Sequence, residues 1–151
     1  MTELAVVAAP ASARANGDDG NTSGVTTDEG SVETEVRAAF HAYEAALIAN
    51  AVDLLDQWFW DDARLVRFGL AEIQHGAAEV AAWRRTSAGV RADRRHERVT
   101  VTAFGPDMAI ATLVFSNGGR PPLGRQSQVW RRANAGWCIV HAHVSMMPTT
   151  A

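Results

Sequence analysis

From Arg95 onward the chain consists of extended segments separated by turn signals, and this pattern restricts the fold more than any other feature. "RHERVTVTAF" is followed by the turn "GPD", then by "MAIATLVFS", the loop "NGGRPPLG", "RQSQVWRR", the turn "ANAG" and "WCIVHAHVS". β-Branched and aromatic residues fill the segments, while Gly, Pro, Asn and Asp fill the gaps. Four antiparallel strands are expected. Such a sheet needs an apolar cover, and the first half of the chain has to supply it.

It does so with helical spacing. Val32, Val36, Phe40, Tyr43 and Leu47 recur on one face, with Ser31 as the expected N-cap and Asn50 as the stop. A second, short helix is expected from Val52 to about Trp60. "ARLVRFG" and "LAEIQH" read as a strand pair with a turn or bulge at Gly69. After Gly76 the run "AAEVAAWRRTSA" is helical again. The order implies an α+β fold: a strongly curved antiparallel sheet wrapped around three helices from the N-terminal half. Such a cone leaves a pocket where polar side chains interrupt its inner face.

Charge separates a head from a body. Residues 1–35 hold seven acids against Arg14 alone, whereas residues 36–151 hold thirteen arginines and ten acids. The first 30 residues, rich in Gly, Asp, Ser and Thr, read as a flexible acidic tail, and residues 31–151 as the single folded domain. The small basic surplus of the body lacks the stripe and stacking aromatics of a nucleic-acid binder, but it suits a pocket for a small anion. All fourteen basic residues are arginine, which excludes lysine nucleophiles and Schiff bases. Cys138 is the single cysteine, so neither an intrachain disulfide nor a cysteine zinc site is expected. No segment approaches the ~20 apolar residues of a membrane helix. The opening "MTELAVVAAPASA" lacks a basic start and carries Glu3, unlike a signal peptide. A cytoplasmic protein is expected.

The last strand raises the sharpest question, because "IVHAHVS" places two imidazoles and a hydroxyl in an apolar segment. If Trp137 and Ile139 face the helices, strict alternation puts His141, His143 and Ser145 on the same inner face. Cys138, Val140, Ala142 and Val144 would then form a wholly apolar outer face that a second subunit could cover. As metal ligands the two histidines would need His75 or Glu72, and no metal spacing is recognisable. A pocket role and a core hydrogen bond remain open for His143. His41 and His96 read as surface residues.

The blocks "FHAYEAALIAN", "VRFGLAEIQHG", "AWRR", "VTAFG", "GRQSQVWRR" and "GWCIVHAHVSMMP" resemble the AtzH/HpxZ-like family of the nuclear transport factor 2-like (SnoaL-like, cystatin-like) superfamily. The resemblance covers about Phe40 to Pro148. It implies a cystatin-like cone, a deep pocket and a homodimer, for which the apolar convex sheet face is the expected interface. For one branch it implies decarboxylating amidohydrolase activity on a dicarboxylated urea, and for others an association with amidases. The tyrosine and arginine needed in that branch match Tyr43 and Arg67. The chain departs from the pattern in its acidic tail, in Asn50-Ala51, and in His141, which stands where a small residue is usual.

The residues fit that chemistry. Tyr43 is the one tyrosine and suits either a core position or a proton donor, its pKa lowered by a neighbouring guanidinium. Arg67, flanked by Val66 and Phe68, needs an anion if it is inside, either Glu72 or a substrate carboxylate. Gln126 and Gln128 share one strand face, exposed or in the cavity, where their amides would suit a urea. Arg84 could contribute near the pocket mouth, with a solvated helix end as the default reading. The expectation is a small-molecule enzyme with catalytic Tyr43 and Arg67, substrate-binding Glu72, Gln126, Gln128 and His143, and neither metal nor cofactor. The alternative is a non-catalytic binding or assembly module. Isomerase chemistry lacks an obvious buried acid.

Overall fold

The computed structural model describes residues 29–148. The proposed tail lies almost entirely outside the described residues. Helix α1 spans Glu29–Ile48 and so begins ahead of the expected cap at Ser31; α2 spans Val52–Trp58 and α3 spans Ala77–Thr86. The strands are β1 (Val66–Phe68), β2 (Ile73–His75), β3 (Arg94–Ala103), β4 (Met108–Asn117), β5 (Arg120–Ala133) and β6 (Gly136–Met146). They form one sheet in the order β2-β1-β6-β5-β4-β3. The fold is α+β, as expected, with two differences. The β1 strand runs parallel to β6, so the sheet is mixed. The expected loop "NGGRPPLG" shrinks to a turn at Gly118-Gly119, and β5 begins at Arg120 because Arg120 already pairs with Asn117.

Helix α1 lies on the sheet through the stripe that its sequence spacing defines. Val32, Val36 and Phe40 are completely buried, each contributing about 1.5–3 kcal/mol of burial. The β3–β5 meander supplies the other half of the core, with Ala109, Ala111, Leu113 and Phe115 facing Val101, Ala103 and Trp130. Glu35 secures the far end, accepting from Arg132 Nη1 at 2.8 Å and Trp137 Nε1 at 2.9 Å. These two bonds hold its carboxyl below the ordinary carboxylate value.

Two one-residue irregularities decide which side chains face inward. On β5, Gly124, Gln126, Gln128 and Trp130 alternate inward without interruption. On β6, Trp130 pairs with Ile139 while Val129 pairs with His141, so Val140 is an extra residue. This bulge flips the parity of everything after it. Ala142, Val144 and Met146 therefore line the interior, and His141, His143 and Ser145 turn to the convex side, against the expectation. A second register shift lies between His96 and Arg98 on β3. There Glu97 is the extra residue, and it turns His96 and Arg94 inward together with Val99 and Val101.

The Phe115 ring lies flat over Gly124, where an added Cβ would sit 2.0 Å from Cζ. Gly124→Ala is expected to displace the ring and destabilise the protein by about 1–3 kcal/mol, read as a lower urea midpoint.

Candidate functional site

The two bulges and the early hairpin enclose a cavity of about 320 Å³ between α1, α3 and the concave sheet. Its deep wall is polar. Tyr43 reaches it from α1, Arg67 from β1, Arg84 from α3, Arg94 from β3, and Gln126 and Gln128 from β5. Arg67 points inward because its register partner on β6 is Ala142, an inner residue after the bulge. Glu72 lies nearer the mouth, with Asn50 and Leu70.

Tyr43 is buried, 4% exposed, with its ring edge-on to Phe59 and Trp130. Burial raises the phenol above its ordinary value; the charges of Arg84 and Arg67 pull it down but do not win. The expected lowering by a neighbouring guanidinium is thus overturned by desolvation. Tyr43 is a protonated donor throughout the neutral range, with the Arg84 guanidinium against it.

Arg67 donates to Gln74 Oε1 at 2.8 Å and stacks over Trp83 at 4.2 Å. Glu72 is 3.9 Å away, a loose pairing that leaves the cation available to a ligand. Burial lowers the Arg67 pKa, yet guanidinium stays charged in a protein. Gly69 makes room for this pair, because a Cβ there would meet Glu72 Oε2 at 1.8 Å.

Arg84 departs from its default reading as part of a solvated helix end. Arg85 is solvated, with its side chain 59% exposed, but Arg84 is 3% exposed. Its Nε and Nη2 find no hydrogen-bond partner among the described residues. Asp56 approaches only to 3.8 Å and is shared with Arg85. A buried guanidinium this poorly compensated has a strong electrostatic preference for an added anion. The available signal was the helical period: Arg84 follows Val80 by four residues, on the buried face of α3.

Glu44 is the second residue missed. It is buried and accepts from Arg94 Nε (3.0 Å), Gln126 Nε2 (2.7 Å) and His96 Nε2 (3.1 Å). Arg94 Nη2 donates in turn to Gln126 Oε1 at 3.1 Å and stacks over Phe115. His96 is therefore no surface residue, whereas His41 is exposed. A buried acid does exist, supplied by a helix rather than by a strand. Glu44 lies four residues after Phe40, on the edge of the apolar stripe.

The structure brings Tyr43, Arg67, Glu72, Gln126 and Gln128 together, and it excludes His143. That ring is exposed on the convex face, edge-on to Phe68 as is His141, so His141 does not alter the cavity either. Among the described residues no three or more His, Cys, Asp or Glu side chains converge as metal ligands. No helix of the described chain is long and apolar enough to cross a membrane.

A curved sheet closed over a polar pocket by three helices defines a nuclear transport factor 2-like domain of the small-molecule-binding kind. Solved structures agree. A cystatin-like fold protein from Burkholderia xenovorans is 41% identical over 78% of this chain and 95% of its own, with a TM-score of 0.74. A protein of unknown function from Pectobacterium atrosepticum is equally identical, over 78% and 92%, with the same score. A nuclear transport factor 2-like superfamily protein from Salmonella enterica shares the fold at 21% identity, over 81% and 95%, with a TM-score of 0.64. No curated relative matches the chain. The AtzH-like family profile matches residues 25–150, and the chain belongs to that family.

The single tyrosine makes its ionisation directly readable. In the folded protein the phenolate absorbance is expected to appear above the ordinary midpoint of about 10. The folded state then holds the proton longer than the unfolded chain does. This contribution to stability is complete below the unfolded pKa and is lost as pH rises through the folded one. A midpoint below 10 in the absorbance titration would contradict the buried placement of Tyr43.

Proposed function

We propose that the cavity binds a small carboxylated urea-type molecule and cleaves its N-carboxyl group, releasing carbon dioxide. The observation that carries this reading is the convergence of a protonated buried phenol, the buried Arg84 guanidinium and the half-buried Arg67 guanidinium on one wall of the cavity. Arg67 and Arg84 hold the carboxylates, bidentate contact fixing the orientation. Tyr43 donates its proton to the leaving nitrogen as the C–N bond breaks. The bond's electron pair stays on nitrogen, the carboxyl group leaves as carbon dioxide, and solvent returns the proton to the phenolate. The adjoining cations stabilise that phenolate while it exists. Gln126 and Gln128 line the wall beside the urea core, and Glu72 at the mouth accepts from its N–H groups.

With freshly prepared N-carboxyurea and N,N′-dicarboxyurea, bicarbonate release above the buffer rate is expected. Tyr43→Phe should lower kcat by about 10²–10⁴-fold with little change in KM. Arg67→Ala should raise KM and lower kcat together. Equal rates for wild type, both variants and buffer would dismiss catalysis on this substrate class; ligand-induced stabilisation in a thermal melt would then mark a binding module.

A homodimer through the convex face belongs to the same proposal. Its support comes from Phe68, Ile110, Val114 and Val129 on that face, not from the polar outer row of β6. Sedimentation should give about twice the mass of one chain, and a monomer at micromolar concentration would refute it.

A further inference from the structure

The amide of Gln128 has only one chemically allowed orientation. Gln128 is 1% exposed, and Trp130 Nε1 lies 3.2 Å from its Oε1. An indole nitrogen donates and cannot accept, so the oxygen must face the tryptophan and the nitrogen must face away. Trp130 is itself held, completely buried, between the edges of Tyr43 and Trp58. The Gln128 nitrogen makes no hydrogen bond among the described residues, yet it is not a sealed atom, and its side chain lines the cavity.

The surrounding groups carry the same polarity. Gln74 must turn its oxygen to Arg67, because guanidinium only donates. Gln126 is fixed at both ends, its oxygen by Arg94 and its nitrogen by Glu44. Glu44 has both oxygens engaged. What the deep wall still offers a ligand is the Tyr43 hydroxyl, the Gln128 N–H₂ and the guanidiniums of Arg67 and Arg84. All of these donate, and the Tyr43 oxygen, which could also accept, is already taken by the Arg84 guanidinium. The groups that accept, Glu72, Ser87 and the amides of Asn50 and Asn117, are all more exposed than Gln128, Tyr43 and Arg84.

We propose that Gln128, locked by the positioning residue Trp130, is a polarity filter that admits an oxygen-acceptor end, a carboxylate, to the deep wall and rejects a carboxamide there. This deepens the function proposed above by orienting the ligand: the acid end enters first, and the N–H groups stay at the mouth with Glu72. A carboxamide at the deep position would set its own N–H₂ against donors, leaving buried groups unpaired.

Calorimetry with matched stable probes tests this. One pair is N-carbamoylglycine and its carboxamide, which carry the urea; the other is malonate and malonamide, which do not. Wild type is expected to favour each acid over its amide by at least about tenfold. Gln128→Leu, close in volume, should weaken the acid about tenfold and, because it strands the buried Trp130 indole N–H, lower the melting temperature by a few degrees without unfolding the protein. Trp130→Phe frees the amide to turn, so the acid-to-amide preference should collapse towards unity; mere loosening of the core would weaken both probes alike. Acid preference in the malonate pair without binding of N-carbamoylglycine upholds the filter and removes the urea-type substrate. Equal binding of acid and amide, binding of neither acid, or an unchanged preference in both variants overturns the filter.

Discussion

The structure turns on one buried carboxylate. Glu44 ties α1 to β3 through Arg94 and to β5 through Gln126, and it reaches His96 as well. Because Arg94 and Glu44 are both nearly inaccessible, removing either would strand the other as an uncompensated interior charge, at a cost of about 3–5 kcal/mol. The network therefore fixes how α1 sits across the sheet, and with it the position of Tyr43 one residue earlier. Phe115 adds to the same joint, with Arg94 on its face and Gly124 beneath it. The cavity begins where this joint ends.

Two kinds of interior charge result. Arg94 is satisfied by the protein and acts as structure. Arg84 is not: its nearest carboxylate is loosely placed and shared with a solvated neighbour. Arg67 lies between these extremes, bonded to Gln74 and stacked on Trp83 but only loosely paired with Glu72. The positive potential of the cavity is thus concentrated where the phenol stands. Burial keeps that phenol protonated against the pull of the two cations. A donor-rich wall of this composition suits an acid better than an amide.

The helices were legible because amphipathic periodicity is local: Val32, Val36, Phe40 and Tyr43 are buried as their spacing requires. That Gln126 and Gln128 share one face of β5 was legible for the same reason, since no bulge intervenes, but whether that face was exposed or in the cavity was left open and the structure turns it inward. Arg67 and Tyr43 were found through the family resemblance, and the structure brings them to one cavity. The histidine row failed on a single residue. Alternation counted from Ile139 is correct only while the pairing is regular, and the extra Val140 makes it wrong from His141 onward. His96, read as a surface residue, is turned inward by the second bulge, at Glu97, which local sequence does not announce.

The sequence by itself therefore determined the succession of elements, the α+β class and the residue types available for chemistry, since each follows from short-range spacing and composition. Tertiary structure alone decided which of those residues meet. Bulges are set by pairing with neighbouring strands, and β1 joins β6 in parallel across some 70 residues of chain. Whether an arginine is solvated like Arg85 or held inside like Arg84 depends on what packs over its helix. Local sequence carries neither, because the energy of a buried donor or a flipped strand resides in partners that arrive from elsewhere in the chain.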